Sequence, residues 1–391
     1  MISANEAINI IEANNRILPT IVIDTADALD YTLANDISSS INFPPFNQSA
    51  MDGYALNYKD GLSEYVIIGE VKAGDTDLNF DVNQGEGVRI YTGAKIPTDC
   101  STVIQQEWCI ETQNEIRFNH TIKDKLNFRK TGEQIKKGEL ALKKGTEVSP
   151  ALIGYLIGIG EHQIEVISKP SVGIVITGNE LAQPGEKLKD GKIFESNSFM
   201  LIAALKKYNY TKVKVYKTLD EFNQTKNSVK AAIDENDVVL ISGGISVGTY
   251  DFVEQSLSEI GVEKQFYKVK QKPGKPLFYG IYNNKHIFGL PGNPGAALTC
   301  YYIYVLRLLS LISSKNYPLE KVNVCLNKEY VKKSGRSEFL KVFIKDGFAE
   351  ICKFQNSSML RAFEQANALV YVEENKKQIR PNEKVCAYLL L

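Results

Sequence analysis

The sequence has no surplus of either charge, because 46 lysines and arginines balance 46 aspartates and glutamates. A protein that binds nucleic acid needs a basic surplus on some face, so these totals predict no nucleic-acid partner. Apolar residues make up 43% of the chain and charged residues 24%, which is normal for a globular protein. At 391 residues the chain is too long for one core, and we expect two to four domains.

Targeting and cross-linking features are also missing. The first residues lack the basic start and apolar run of a secretory signal, and Ser3 and Glu6 instead have the spacing of a helix capping box. No apolar run approaches the ~20 residues that span a bilayer, so no membrane segment is expected. The six cysteines include no CxxC pair. This usage fits neither a zinc site nor a disulfide framework, and it predicts a reducing, cytoplasmic environment.

Two common catalytic arrangements have no support in the sequence. The three histidines, His120, His162 and His286, each lie in a turn or hairpin context, where we expect surface positions. Ser–His–Asp chemistry is therefore not predicted. The Walker pattern GxxxxGK[ST] is absent as well, which disfavours a P-loop nucleotide hydrolase.

The pattern of predicted strands and helices changes along the chain and indicates four regions. Residues 1–45 and 141–170 form a discontinuous helical and extended linking domain, and residues 46–140 form a β-rich domain. Residues 171–316 alternate short strands with helices, which indicates βαβ crossovers and a parallel sheet. Residues 317–391 return to short strands and predict a small β-barrel or sandwich. The predicted fold class is α/β and multidomain.

Three loops of residues 171–316 follow predicted strands: TGNEL at 177–181, SGGISVG at 242–248 and LPGNP at 290–294. Ligands of parallel sheets bind beyond the carboxyl ends of the strands, where helix N-termini favour anions. Each loop alone is most simply a glycine-rich turn, but several at one sheet edge favour an anion site. Glycine lets the backbone approach an anion, and serine adds donors. The substrate-binding candidates here are Ser242, Gly243, Gly244, Ser246, Pro291, Gly292 and Asn293.

Charged residues add to this site. KPGKP places Lys272 and Lys275 around a Pro-Gly turn, and two ammonium groups on a stiff turn suit a phosphate, although a solvated turn is an equal alternative. Asp52 in SAMDGYA precedes a glycine, and Glu180 and Asp251 each lie on a glycine-containing loop of the sheet domain. Any one of these acids is more often a cap or a surface charge, but oxygen ligands near phosphate loops are what magnesium uses.

In this order along the chain, PPFNQSAMDGYAL, RIYTGAKIP, TGNEL, GKIFESNS, SGGISVGTYDF, KPGKP, GLPGNP and GRSEFLK resemble the molybdopterin molybdenumtransferase family. This family is known as MoeA in bacteria and as the E domain of gephyrin in animals. The resemblance covers nearly the whole chain. It implies a three-layer sheet domain of the molybdopterin-binding type, β-rich domains, a C-terminal β-barrel and a homodimer.

The activity that the resemblance implies is insertion of molybdenum into adenylylated molybdopterin, with release of AMP. Molybdate is then a substrate, and Mg²⁺ or a similar divalent cation is the cofactor. A molybdopterin adenylyltransferase is an implied partner, because it makes the adenylylated substrate. Molybdate and tungstate are oxyanions of nearly equal size, and the sequence does not choose between them.

The resemblance also implies roles for individual residues. Asp52, Glu180 and Thr92 would be catalytic, and Asp52, Glu180 and Asp251 would hold the metal. The implied substrate contacts are Asp237 and Asp251 at the pterin-nucleotide pocket, Lys272 and Lys275 on phosphate or molybdate, and Arg336 and Ser357 as further anion contacts.

The chain departs from the family pattern at three places. Asn179 replaces the usual acid in TGDEL, Gln134 replaces an acid that follows GE, and Asn356–Ser358 replaces a Gly-Ser-Gly segment. Two carboxylates are therefore missing where metal is expected. An amide oxygen can still ligate magnesium, but it brings no charge.

Other functions remain open on the sequence alone. A molybdopterin adenylyltransferase and a relative of nicotinamide-nucleotide amidohydrolases share the sheet domain, although the additional β-rich regions argue against the adenylyltransferase. A scaffold that has lost its chemistry and binds a partner through its last domain is a third alternative. The presence of Asp52, Glu180 and both lysines favours an active enzyme.

Overall fold

The chain divides into two units. The computed structural model describes residues 1–76, 81–244 and 252–390. The first unit, which we call the sheet–barrel unit, consists of Met1–Ile21, Asp30–Thr32 and Ile167–Leu391, and the second, the β-rich unit, of Val22–Leu29 and Leu33–Val166. The finer four-region division of the sequence stays a prediction.

A six-stranded sheet forms the centre of the sheet–barrel unit. Its first four strands are parallel, and the last two are joined to the sheet by antiparallel pairings, so the parallel sheet predicted from alternating strands and helices is confirmed. Strands buried on both faces read as continuous apolar runs, and every residue of the two strands VGIVIT and VVLIS is buried. The spatial order is Val213–Thr218, Val172–Thr177, Val238–Ser242, Lys285–Leu290, Phe278–Tyr282 and Glu263–Tyr267.

Helices cover both faces of this sheet. Successive side chains of a strand point to opposite faces. Ile174 and Leu240 belong to one apolar core, whereas Val175 and Val239 belong to another. The first core includes helices Ala4–Ala13, Asn197–Lys207 and the run Pro294–Ile312, and the second includes helices Phe222–Glu235 and Phe252–Ile260. The three-layer arrangement is therefore confirmed.

The longest helical run corrects one expectation. Pro294–Ile312 has 19 residues and a mean hydropathy of 1.6, so by length and composition it could cross a membrane. Within the fold, 94% of that window is buried, which is typical of a core helix. Three tyrosines and Arg307 interrupt the aliphatic residues of this run. The run contains a π-helical turn, Tyr301–Val305, between the α-helical segments Pro294–Cys300 and Leu306–Ile312.

A closed five-stranded barrel follows the sheet. Its strands are antiparallel except for one parallel pair, and Ser337–Lys345 pairs with Ala368–Val372 to close it. Alternating residues such as Val342, Val370 and Ala387 fill its interior. Of the two forms predicted for residues 317–391, the structure has the barrel. The strands are Lys321–Leu326, Ser337–Lys345, Phe348–Ile351, Ala368–Val372 and Lys384–Leu389.

The β-rich unit contains its own mixed sheet of six strands. In spatial order they are Thr102–Gln105, Gly53–Leu56, Glu86–Ile90, Glu64–Val71, Glu115–Arg117 and Ile110–Thr112. A helix, Pro150–Gly158, begins after Ser149, whose hydroxyl accepts a hydrogen bond from the Leu152 amide at 3.3 Å.

Shorter elements complete the two units. The predicted capping box is present, with the Ser3 amide donating to the Glu6 carboxylate at 2.7 Å and the Glu6 amide donating to Ser3 Oγ at 3.2 Å. The six cysteines are free, as expected. The remaining short elements are strands Thr20–Asp24, Ile37–Ser38, Gln48–Ser49, Phe128–Arg129, Leu140–Leu142, Gln163–Ile167, Leu181–Ala182, Ile193–Phe194, Gln271–Lys272, Tyr330–Val331 and Gln378–Ile379, and helices Thr25–Asp27, Gln106–Trp108 and Arg361–Gln365.

One histidine prediction is wrong. His286 is 3% exposed and lies in strand Lys285–Leu290, where its Nδ1 is hydrogen-bonded to the Tyr279 hydroxyl at 3.0 Å. Burial lowers the pKa of His286 to about 4. A surface position was expected because asparagine and lysine precede this residue. The strand that begins there lies in the interior of the six-stranded sheet, and its residues from His286 onward are buried.

Candidate functional site

A cavity of about 810 Å³ opens at the carboxyl edge of the parallel sheet. It lies entirely within residues of the sheet–barrel unit. Most of the candidates from the three loops and the lysine turn meet here, together with the two barrel residues expected as anion contacts. The predicted residues among its lining are Glu180, Gly243, Gly244, Lys272, Lys275, Pro291, Gly292, Asn293, Arg336 and Ser357.

The glycines of the loop after Val238–Ser242 allow close packing of neighbouring loops. Gly243 has φ +98°, and a Cβ at this position would lie 2.3 Å from the Thr177 carbonyl oxygen. Gly244 has φ +65°, also in the left-handed region. Larger residues would therefore both strain the backbone and push the loops apart. The loop glycines leave backbone surface, rather than side chains, facing the cavity.

Ser242 does not line the cavity, contrary to the prediction. Its side chain is 2% exposed, and its Oγ accepts a hydrogen bond from Asn197 Nδ2 at 2.8 Å. The same Asn197 nitrogen donates to the Gly292 carbonyl oxygen at 2.9 Å. Ser242 is the last residue of its strand, so its side chain alternates into the helical layer and not toward the opening. Asn197, which sequence reasoning missed, thus joins the loops at residues 242–244 and 290–294.

The two predicted lysines stand on a braced turn. The buried side chain of Gln271 donates through Nε2 to the carbonyl oxygens of Pro273 at 3.0 Å and Gly274 at 3.3 Å. Lys272 Nζ lies 3.7 Å from Glu338 Oε1, and the Glu338 side chain is 2% exposed. Glu338 also accepts from the hydroxyls of Ser334 and Tyr330. The backbone of the turn is thereby fixed, and both lysines line the cavity.

A loop of the barrel reaches the N-terminus of helix Pro294–Cys300. The Ser357 carbonyl oxygen accepts from the Ala296 amide at 2.9 Å, and Ser357 Oγ accepts from Asn293 Nδ2 at 3.1 Å. Because Ser357 Oγ accepts a hydrogen bond from Asn293, its own O–H is available to donate to a ligand. Arg336, on the segment before strand Ser337–Lys345, also lines the cavity. Cations, hydroxyls and a helix N-terminus converge there, which is the chemistry of an oxyanion site.

Glu180 lines the cavity, and a second acid that the sequence analysis missed lies on a neighbouring loop. Asp220 accepts from the Thr177 hydroxyl and, at 3.3 Å, from the Asn179 amide, while its own amide donates to Asn179 Oδ1 at 3.2 Å. Asp220 follows strand Val213–Thr218, so the signal that could have identified it is the same as for the other loops. It is an acid directly beyond the carboxyl end of a parallel strand.

Asp237 was predicted at the substrate pocket, and this prediction is wrong. It precedes strand Val238–Ser242 and therefore lies at the amino edge of the sheet, opposite the cavity. There its carboxylate accepts from the Ser171 amide at 2.8 Å and from Ser171 Oγ at 2.6 Å. These hydrogen bonds hold the segment before the strand in place, so the role of Asp237 is structural.

Asp52 and Thr92 form a local pair in the β-rich unit. Asp52 Oδ1 accepts from the Thr92 amide at 2.7 Å and from Thr92 Oγ1 at 2.8 Å. Both bonds stabilise the carboxylate, with the backbone bond the stronger influence, so the pKa of Asp52 lies below its ordinary value. The exposed, ionised carboxylate is chemically suited to bind a cation.

The small residues around Asp52 have a packing reason. A Cβ at Gly53 would lie 2.0 Å from the Ile104 carbonyl oxygen on the neighbouring strand. Gly53→Ala should therefore lower the free energy of unfolding by about 3 kcal/mol, because strands must separate to admit the methyl group. Thermal unfolding tests this. Gly154→Ala is the matched control within the same unit, since its Cβ would meet nothing within 4 Å in a helix. A Gly53→Ala protein as stable as the control would contradict the packing argument.

Two candidates cannot be located. Ser246 and Asp251 fall outside the described residues. Within residues 1–76, 81–244 and 252–390, no group of three or more His, Cys, Asp or Glu side chains forms a ready metal site. The donor types at the sheet edge, carboxylates and the Asn179 amide, are nonetheless the hard oxygens that Mg²⁺ prefers.

Comparison with known proteins agrees with this architecture. Residues 2–160 match the MoeA N-terminal region (domain I and II), residues 173–310 a probable molybdopterin binding domain, and residues 323–390 the MoeA C-terminal region (domain IV). The molybdopterin molybdenumtransferase of Haemophilus influenzae is 31% identical over 375 residues, covering 93% of this chain and 92% of that protein. The chain belongs to the MoeA family.

Further relatives of this MoeA-family chain extend the comparison. A putative molybdopterin biosynthesis protein of Methanocaldococcus jannaschii is 32% identical over 381 residues, covering 94% of this chain and 92% of that protein. The solved structure of a molybdopterin biosynthesis MoeA protein from Pyrococcus horikoshii has a TM-score of 0.82 and 27% identity, over 100% of this chain and 99% of that chain. The multidomain α/β fold expected from the resemblance is thus confirmed.

Proposed function

We propose that this chain is a molybdopterin molybdenumtransferase, which inserts molybdenum into adenylylated molybdopterin and releases AMP in molybdenum cofactor biosynthesis. The observation that carries the proposal is the convergence of Lys272, Lys275, Arg336 and Ser357 with two glycine loops on one cavity. A neutral chain that concentrates cations in this way has built a site for small anions. Family membership selects the molybdenum chemistry among the anion-handling reactions.

The residues that line the cavity have different roles, which follow from their chemistry. The lysines and Arg336 bind the tetrahedral oxyanion and the phosphates, because charge-assisted hydrogen bonds are the strong ones. Glu180 accepts a proton from the water molecule whose oxygen attacks the pterin-side phosphorus of the pyrophosphate bridge. One P–O bond of the bridge breaks as the new one forms, and AMP leaves with the bridging oxygen. The dithiolene sulfurs of the pterin are the ligands that receive molybdenum.

Magnesium belongs to this proposal. The carboxylates proposed as magnesium ligands are Glu180 in the sheet–barrel unit, Asp52 in the β-rich unit and Asp251, and Asn179 would contribute an uncharged oxygen. A bound divalent cation would neutralise phosphate oxygens and polarise the bridge. The fit rests on the donor types, which are carboxylate and amide oxygens and no thiolate or imidazole.

The cellular location and the oligomeric state of the enzyme are also proposals. The scattered free cysteines fit a cytoplasmic location. A homodimer and an adenylyltransferase that supplies the substrate are expected from the family resemblance. Size-exclusion chromatography with light scattering would distinguish a dimer from a monomer.

The activity itself has a direct test. Purified protein given adenylylated molybdopterin, molybdate and magnesium should release AMP, measured by chromatography. A molybdenumtransferase of an established relative assayed in parallel controls the substrate preparation. No AMP release where the relative works would reject the proposal. Incubation with ATP and unmodified molybdopterin tests the adenylyltransferase alternative, which predicts pyrophosphate release.

A further inference from the structure

Lys341 is a buried lysine with no ion-pair partner among the described residues. It lies in barrel strand Ser337–Lys345 and is 0% exposed. Burying an ammonium group without a carboxylate is costly, and a methionine of similar shape would be cheaper. A lysine at this buried position therefore calls for a role that an apolar residue could not perform.

The contacts of Lys341 point to one loop. Its Nζ lies 3.4 Å from the Asn356 carbonyl oxygen, and 5.3 Å from the centroid of the Phe363 ring. The Asn356 oxygen also accepts from the Met359 amide at 3.1 Å, which closes a turn over residues 356–359. The ammonium group is thus directed at the backbone of this turn.

The backbone of Lys341 is tied to the same loop. Gln355 Oε1 accepts from the Lys341 amide at 3.0 Å, and Gln355 Nε2 donates to the Lys341 carbonyl oxygen at 2.8 Å. The Cys352 amide donates to that carbonyl at 3.0 Å. Main chain and side chain of one residue therefore hold the loop at three of its positions.

The other side of this loop is the cavity. Asn356, Ser357 and Ser358 line it, whereas Lys341 does not. The turn is also fixed to helix Pro294–Cys300 through the Ser357 carbonyl and the Ala296 amide, at 2.9 Å. Lys341 itself is fully buried, so its charge is screened less by water than the charge of an exposed lysine would be.

We propose that Lys341 is a positioning residue that sets the anion affinity of the cavity, by holding the Asn356–Ser358 turn and by adding positive potential through it. The inference rests on the proposed function, because it concerns what sets the affinity of the same cavity for its anionic substrates. It assigns to the site a cation that never touches the ligand. The lysines that line the cavity contact the ligand directly, whereas Lys341 orients the Asn356–Ser358 turn that forms one side of the cavity.

The titration of Lys341 gives this role a signature. Burial lowers its pKa to about 8, and the thiol of Cys352 is the titratable group that the structure places against it. Burial raises the pKa of Cys352, so this thiol is neutral in the same range. A bound dianion favours the charged form of Lys341 and raises its pKa. Binding should then take up protons near pH 8, and affinity should fall as the pH rises through this value.

The experiment titrates molybdate alone into the full chain by calorimetry at about pH 8, in two buffers of different ionisation enthalpy. Wild-type protein should take up a fraction of a proton. Lys341→Arg keeps the charge, so it should retain affinity within about threefold and lose that uptake. Lys341→Met should bind about tenfold more weakly, a change of about 1.4 kcal/mol, and should melt no lower than wild type.

The outcomes separate the two claims. Wild-type protein that does not bind molybdate would overturn both the anion site and the role of Lys341. Wild-type binding with unchanged affinity in Lys341→Met would overturn the role of Lys341 alone. If Lys341→Met fails to fold, the arginine variant decides, because proton uptake equal to that of wild type places the titrating group elsewhere and refutes the inference.

Discussion

Glu180→Ala should lower the rate of AMP release at least about 100-fold while leaving the fold intact. Removal of a group that handles a proton or a cation in the transition state typically costs 10²–10⁴-fold. Glu180 is exposed, and in the part of the chain that the structure describes its carboxylate has no hydrogen bond or ion pair that folding would lose. Single-turnover measurement of AMP at saturating substrate isolates this step from binding.

A control variant removes charge without removing the proposed chemistry. Asp190 is exposed on the same segment of the chain and does not line the cavity. Asp190→Ala should turn over at the wild-type rate. If Glu180→Ala keeps that rate as well, Glu180 has no catalytic role and the metal proposal loses one of its ligands.

The second large effect is expected from the paired lysines. Lys272→Ala together with Lys275→Ala should weaken molybdate binding about 100-fold or more, because each charged hydrogen bond contributes about 1.5–3 kcal/mol. Lys272 also forms an ion pair with Glu338, whose side chain is 2% exposed. The double variant therefore leaves a buried carboxylate without its cationic partner. Some loss of stability should accompany the loss of affinity.

Net charge alone must be excluded as the cause. Lys328→Ala with Lys345→Ala removes the same two charges from exposed barrel positions outside the cavity. Molybdate affinity measured by calorimetry should be unchanged in this control. Equal weakening in both double variants would mean that the binding responds to total charge and not to the KPGKP turn.

The sheet and the loops beyond it follow from local patterns in the sequence. Continuous apolar runs predict central strands, and the direction of parallel strands predicts that Gly243, Gly292 and Glu180 share one edge. The structure brings these residues to one cavity. Arg336 and Ser357 come from the barrel, and here the family resemblance was required, because no local rule connects a barrel loop to a distant sheet edge.

The errors have a common physical origin. Asp237, Ser242 and His286 are polar residues at or near strand ends, where sequence alone does not say which end or which face a side chain takes. Asp237 caps the amino edge, Ser242 bonds to Asn197, and His286 is buried beside Tyr279. Tertiary packing decides each case. Lys341 could not be found from the sequence for the same reason, since a lysine in a strand predicts an outward-facing side chain.

The closure of the barrel has a consequence for behaviour in a crowded cell. A closed barrel presents no unpaired strand to another chain, whereas the six-stranded sheet of the same unit is open and has Val213–Thr218 and Glu263–Tyr267 as its edge strands. Both carry exposed lysines, Lys214 and Lys217 on one and Lys264 on the other. Exposed lysines on an edge strand disfavour its pairing with an edge strand of another copy, so both open edges of this sheet carry side chains that oppose aggregation.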